Sequence, residues 1–236
     1  MRGELTLEKQ GSISATRVQN ARLLLIRKKK TLKNTSVHDR HLDLGCGSKP
    51  RNPYSRRDVY GIDVREDPAS GSAYTFARAN LVVDPIPFAD NFFNSVSAFD
   101  FLEHVPRQII RPQDGELILP FVRLMNEIWR VLIPDGMLYA LTPAYPQPQA
   151  FQDPTHVNFI TEDTHQYFCG TNALGAMYGF TGQFEAVRVE WAILKDSFSA
   201  APLTFKQKWR VRHRQLFRGG RGLSHLVWEL RAIKSE

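Results

Sequence analysis

Only two cysteines, Cys46 and Cys169, occur in the 236 residues, too few for a disulfide framework and not in the paired spacing of a structural metal site. That usage suits a reducing cytoplasm. No apolar run approaches the roughly 20 residues that cross a bilayer; residues 23–26 and 117–122 are among the longest, so a membrane-spanning chain is not expected. The first residues include an acid, Glu4, and lack an apolar core followed by a small-residue cleavage site, and secretion is not expected either. Internal repeats and low-complexity tracts are absent, and 42% hydrophobic residues with 15 Gly and 14 Pro is ordinary globular usage. Acidic residues are missing from two stretches. Residues 9–38 hold eight Lys/Arg and residues 197–228 hold seven, with no Asp or Glu in either, which leaves 16 basic against 24 acidic residues in the remainder. An acidic body with basic flanks is the signature of segments that touch something anionic, or of solvated helix faces.

Residues 15–33 read as a basic amphipathic helix, with Val18, Leu25 and Leu32 seven apart; residues 1–38 are taken as an N-terminal arm and 39–236 as the main domain. From His41 onward, short apolar runs end in turn residues and alternate with helical stretches, the pattern of an α/β body. The expected strands are 41–44, 59–63, 77–81, 95–99 and 137–141, then 184–194 and 225–233. The clearest helix is 115–132, striped by Leu124, Ile128 and Val131 and followed by the turn Pro134, Asp135, Gly136. Residues 196–223 form an insertion. Within it Lys206, Arg210, Arg214 and Arg218 lie four apart, so a helix would align them in one cationic ridge beside Phe205 and Trp209. Such a ridge suits phosphates of RNA, an anionic glycan or anionic lipid, or is simply solvated.

The segment His41, Leu42, Asp43, Leu44, Gly45, Cys46, Gly47, Ser48 runs a strand into two glycines one residue apart. Without a Cβ the main chain can pass close to a ligand there. Asp63 ends the next strand, 20 residues after Asp43. A carboxylate at that place can accept both hydroxyls of a ribose, because open α/β sheets bind ligands beyond the carboxyl ends of their strands. The two features together indicate an adenosine-containing cofactor.

Further along come Pro85, Ile86, Pro87, Phe88, Ala89, Asp90, Asn91, Phe92, Phe93, then a strand and Leu102, Glu103, His104, Val105, and later Arg130, Val131, Leu132, Ile133, Pro134, Asp135, Gly136 before a strand ending Thr142, Pro143. In order and separation these resemble the class I S-adenosylmethionine-dependent methyltransferases, of the type 11 kind, over about residues 40–195, with residues 225–234 resembling the final strand of that family. The resemblance implies a Rossmann-like, mostly parallel seven-stranded sheet with an antiparallel last strand in a three-layer sandwich. It implies S-adenosylmethionine as cofactor, with Asp43, Gly45 and Gly47 at its methionine part and Asp43 near the ammonium. Asp63 would take the ribose, Asn80 and Leu81 the adenine, and Phe101 the wall where the methyl emerges. The third glycine of the first motif is missing, Pro50 and Pro53 shorten any helix that starts there, Asn80 and Asn94 stand where Asp is usual, and Asp135 stands for Gly.

A sulfonium is an activated methyl donor, so the chemistry is mainly alignment. A hydroxyl acceptor also needs a base. Asp153, Pro154, Thr155, His156 lies in a Pro-rich loop at the expected rim, which nominates His156 as base and Asp153 as its orienting partner. Glu103 and His104 are read as pocket wall, Cys46 as a small buried filler. His156 and His165 are nine apart, not a metal spacing, and no metal is expected. The leading expectation is O-methylation of a small-molecule or glycan acceptor, because the loop holding Asp153 and His156 resembles small-molecule members of the family. RNA methylation through the basic flanks is the alternative within that chemistry. A nicotinamide dehydrogenase shares the glycine turn and distal acid, and a catalytically silent relative would keep the pocket without turnover. Peripheral membrane contact is also compatible with the basic segments.

Overall fold

The computed structural model describes residues 39–66, 73–217 and 222–234; the proposed N-terminal arm lies outside them. Alternation sets the first strands. In β1 (Arg40–Leu44) Leu42 and Leu44 point to one face of the sheet and His41 and Asp43 to the other, all four buried. It pairs in parallel with β2 (Asp58–Asp63) on one side and β4 (Phe93–Phe99) on the other, and β3 (Thr75–Arg78) extends the sheet beyond β2. Two-residue strands β5 (Ile109–Ile110) and β6 (Leu117–Ile118) make a small separate hairpin. Helix α1 (Pro120–Val131) follows, with Pro at its first turn where a missing N–H costs nothing. Its buried stripe is Phe121, Leu124, Met125, Ile128 and Val131.

The chain then enters β7 (Leu132–Pro143) directly. The expected turn survives as an irregularity inside that strand, between Leu132 opposite Phe93 and Met137 opposite Ser95, with Asp135 in the left-handed region at φ 60°, which Asp tolerates better than most residues. The sheet closes with β8 (Phe184–Ala192) and β9 (His225–Ala232) in the order β3-β2-β1-β4-β7-β9-β8, with β9 antiparallel to both neighbours. The seven-stranded, mostly parallel sheet with an antiparallel last strand is therefore present.

One face of the sheet packs Leu42, Leu44, Val96, Ala98, Leu138 and Trp228 in a single core with α1. The opposite face carries Phe99, Tyr139 and Leu141 and is covered by irregular chain, through Tyr54 on one side and Ala200 on the other. The Tyr139 hydroxyl donates to the Ser197 carbonyl at 2.8 Å, and the Ala200 N–H donates to the Pro53 carbonyl at 3.0 Å. After β1, Pro50 and Pro53 leave a loop in place of a helix. Among the described residues the only other α-helix is α2 (Phe205–Phe217), inside the insertion. No described helix is long and apolar enough to cross a membrane.

Candidate active site

The loop after β1 holds its shape through two left-handed glycines, Gly45 at φ 65° and Gly47 at φ 59°. A Cβ on Gly45 would also sit 2.5 Å from the Phe101 ring, so both backbone and space demand glycine there. Gly61 meets the same loop from below: a Cβ on it would come within 2.6 Å of Cys46 Sγ and 2.9 Å of Pro50 Cγ. Cys46 is buried, its N–H donates to the Ile62 carbonyl at 3.0 Å, and burial pushes its thiol up to about 12, which leaves it inert at neutral pH.

Beyond the strand ends lies a cavity of about 360 Å³, in the size range of small-molecule sites. It brings together Gly45, Asp63, Asn80, Leu81 and Phe101, five of the seven residues expected at the cofactor, with Val64, Arg65, Asp100 and His104 beside them. β3 ends at Arg78, earlier than expected, so Asn80 and Leu81 lie in the loop past the strand and are free to line the cavity. The side-chain oxygen of Asn80 accepts from the Val82 N–H at 3.2 Å and shapes that loop.

Asp63 accepts four hydrogen bonds. Oδ1 takes the Arg65 N–H at 3.0 Å and Arg65 Nε at 2.9 Å; Oδ2 takes the Gly47 N–H at 2.9 Å and Arg65 Nη2 at 3.0 Å. The Arg65 guanidinium leads the causes that hold this carboxyl down at about 2. Arg65 itself is exposed and was not anticipated; no signal in the sequence marks an arginine two residues past a strand end.

Asp43, expected near the ammonium of the cofactor, has its carboxylate engaged by protein donors. It does not line the cavity. Its carboxylate is buried on the far face of β1, where Oδ1 accepts from the Ser97 hydroxyl at 2.6 Å and Oδ2 from the Arg51 N–H at 2.8 Å. Burial raises it to about 7. Beside it His41, lowered to about 4 chiefly by burial, donates through Nε2 to the Arg51 carbonyl at 2.9 Å and accepts at Nδ1 from Ser95 at 2.8 Å. Asp43 therefore anchors the glycine loop from beneath. A second acid, Asp100, faces the cavity beside Asp63; it is held at φ 48° and paired with His225 Nε2 at 3.1 Å.

The rim loop is stapled to the turn Leu102–His104: the N–H groups of Val157 and Asn158 both donate to the Glu103 carbonyl at 2.9 Å, and Asn158 Nδ2 donates to the Leu102 carbonyl at 3.1 Å. This sets the His156 ring edge-on to His104, centroids 4.8 Å apart. His156 Nδ1 donates to the Ala150 carbonyl at 3.2 Å, which leaves Nε2 bare in the neutral ring. That nitrogen lies 4.0 Å from Glu103 Oε1 and 3.9 Å from Asp153 Oδ2, both beyond hydrogen-bond length. Asp153 therefore stands within ion-pair reach of His156 and makes no hydrogen bond to it. Its Oδ1 accepts the Thr155 hydroxyl at 2.7 Å, and Thr155 Oγ1 accepts from His104 Nδ1 at 3.0 Å, so Asp153 steers His104, the histidine that lines the cavity.

Glu103 is 1% exposed; its Oε2 accepts from the Thr142 hydroxyl at 2.9 Å and its Oε1 has no hydrogen-bond partner. Burial raises it to about 8, so at neutral pH it is mostly the acid. Glu103, His104 and His156 each bring one ligating atom within 4.8 Å of the others. A cation there would have to displace the proton that burial keeps on Glu103, and the trio reads more simply as a place to hold a proton.

Because the folded state keeps a proton on Glu103 between its ordinary 4.5 and about 8, stability should fall as pH rises through that window and level off above it. Asp43 acts in the same direction below about 7. Thermal melts from pH 5 to 9 are expected to show Glu103→Gln losing less stability than the parent across this range, with roughly 2–4 °C for each kcal/mol of difference. Equal slopes for the two proteins would mean that Glu103 is ionised in the fold.

Residues 42–140 match the family described as methyltransferase domain. Among solved structures, a S-adenosylmethionine-dependent methyltransferase from Archaeoglobus fulgidus is 15% identical, with a TM-score of 0.50 over 89% of this chain and 93% of its own. Others are S-adenosylmethionine-dependent methyltransferases from Methanosarcina mazei (16% identity, TM-score 0.47, 89% of this chain and 98% of that one) and Mesorhizobium loti (15%, 0.47, 87% and 96%). No curated protein matches the chain.

Proposed function

We propose that this chain, whose residues 42–140 match the methyltransferase-domain family, is a class I S-adenosylmethionine-dependent methyltransferase that methylates a hydroxyl of a small-molecule or glycan acceptor in the cytoplasm. Its cofactor is S-adenosylmethionine, which when bound supplies an electrophilic methyl group. Gly45 and Phe101 hold the close-approach wall of the cavity, Asp63 takes the ribose, and Asn80 and Leu81 take the adenine. Asp100, in the place first given to Asp43, offers the negative charge for the ammonium.

The observation that carries the oxygen acceptor is the trio of Glu103, His104 and His156, of which His104 lines the cavity. His104 and His156 both direct Nδ1–H into fixed partners, leaving Nε2 lone pairs, and Glu103 lies beneath them with an unpartnered oxygen. A hydroxyl must lose its proton as it is methylated, and an imidazole with a free ring nitrogen is suited to take it. An amine acceptor, nucleophilic once neutral, has less need of such a group.

Incubation with S-adenosylmethionine carrying a labelled methyl, followed by fractionation of acceptors into RNA, glycan, lipid and small molecules, tests this. Label is expected in an ether-forming glycan or small-molecule fraction, with turnover unaffected by prior dialysis against a chelator. Label confined to RNA would replace the reading with the alternative suggested by the basic segments.

A further inference from the structure

Helix α2 is inside out. A surface helix ordinarily turns its apolar stripe to the core. In α2 no residue is buried; Phe205, Trp209, Leu216 and Phe217 are 86%, 60%, 65% and 75% exposed. The side that faces the body is mostly polar: Gln207 and Arg210 reach Asp196, at 3.4 and 3.5 Å, and Arg214 donates to the Gly222 carbonyl at 2.6 Å. Two members of the expected cationic ridge, Arg210 and Arg214, are therefore turned inward, while Arg218 lies outside the described residues. An open groove of about 650 Å³ runs along one side of the helix, where Lys208, Val211, Arg212 and Leu216 stand across from Arg188 and Trp191. Thirteen residues with so little packing are marginal as a free helix in water.

The exposed cations are Lys206, Lys208 and Arg212, none of which forms an ion pair among the described residues; Lys208 and Arg212 stand on the groove side of the helix. In helical order Lys208 and Arg212 flank Phe205, Trp209 and Leu216 on one side and Lys206 on the other. The apolar groups are outermost and the charges lie at their margins. We propose that α2 is an interfacial helix that seats this protein on an anionic membrane surface, with its aromatic stripe in the headgroup boundary and its flanking cations on lipid phosphates.

Charge selects this occupant. A second copy docking through the same face would set the two sets of cations against each other. Residues 9–38 of the chain, with eight Lys/Arg and no acid, carry the same sign. RNA would be met by cations at the crest, with aromatics reaching bases between them; here the crest is apolar and the cations lie at its sides. The inference is independent of which acceptor is methylated.

The test is flotation of the full-length protein with phosphatidylcholine vesicles with and without phosphatidylglycerol. Binding only to the anionic vesicles, weakened by salt, is expected, together with quenching of tryptophan fluorescence by brominated lipid that largely disappears in Trp209→Phe. Combined Phe205→Ser, Trp209→Ser and Leu216→Ser should lower partition by about tenfold or more. Should that variant misfold, Lys208→Glu with Arg212→Glu is expected to lose anionic selectivity while keeping the melting temperature of the parent. Equal binding to both vesicle types, no binding to either, a stronger affinity for a single-stranded RNA oligonucleotide than for vesicles, or self-association abolished by the triple serine variant would each overturn the proposal.

Discussion

Replacing His156 by alanine should lower kcat by about a hundredfold or more, the usual yield of one positioned acid–base group, while the affinity for S-adenosylhomocysteine stays within about twofold of the parent because His156 is not among the residues that line the cofactor cavity. The two histidines can be told apart. His104 does line the cavity and is tied through Thr155 to Asp153, so His104→Ala should disturb both turnover and cofactor binding, and Asp153→Ala should produce a weaker copy of that effect. Single-turnover rates and calorimetry on the same three variants separate the outcomes. Normal turnover in His156→Ala with loss in His104→Ala would move the base to the cavity ring. Normal turnover in both would mean that no base is required, and the oxygen acceptor would have to be abandoned.

Asp63→Ala should weaken cofactor binding by about 2 kcal/mol or more, roughly thirtyfold, since two hydroxyls lose a charged acceptor. Hydrogen-bond capacity makes this reading specific. A carboxylate offers about four acceptor sites, and all four are filled, two by the N–H groups of Gly47 and Arg65 and two by the Arg65 guanidinium. The main-chain donors hold the loop, and the guanidinium bonds, one to each oxygen, stand where one ribose hydroxyl could replace each. Arg65 is exposed, and water can solvate its guanidinium once it leaves the carboxylate, so it can swing away at little cost. Arg65→Ala should therefore bind the cofactor as tightly as the parent or up to about fivefold tighter. Calorimetric titration of both variants checks the pair. Unchanged affinity in Asp63→Ala would refute the ribose assignment, and a marked loss in Arg65→Ala would make the arginine part of the site and not a placeholder.

Much of the sheet was legible because its strands obey short-range rules. Alternation in residues 41–44, the apolar run 95–99 and the stripe of α1 each depend on neighbours within a few residues, and each lies where it was expected, within a few positions. The glycines at 45 and 47 were legible for the same reason: a left-handed backbone is a local demand that few other residues meet. The hairpin of β5 and β6 was missed because two residues are too short to show a period, and the end of β3 was misjudged because Ala79 and Leu81 continue the apolar alternation after the ladder stops.

What the chain could declare alone was its local grammar, namely the order of strands, the stripped turn beside them, the acid at the end of β2 and the segregation of charge. Tertiary structure decided every partnership: that Asp43 looks beneath the sheet, that Arg65 closes on Asp63, that Asp153 serves His104, that Glu103 lies buried under two imidazoles 52 positions apart in sequence, and that α2 shows its aromatic side outward. The reason is physical. Backbone preference and periodicity are written in adjacent residues, whereas the direction of a side chain, its burial and the proton it holds depend on atoms brought close by folding from far along the chain.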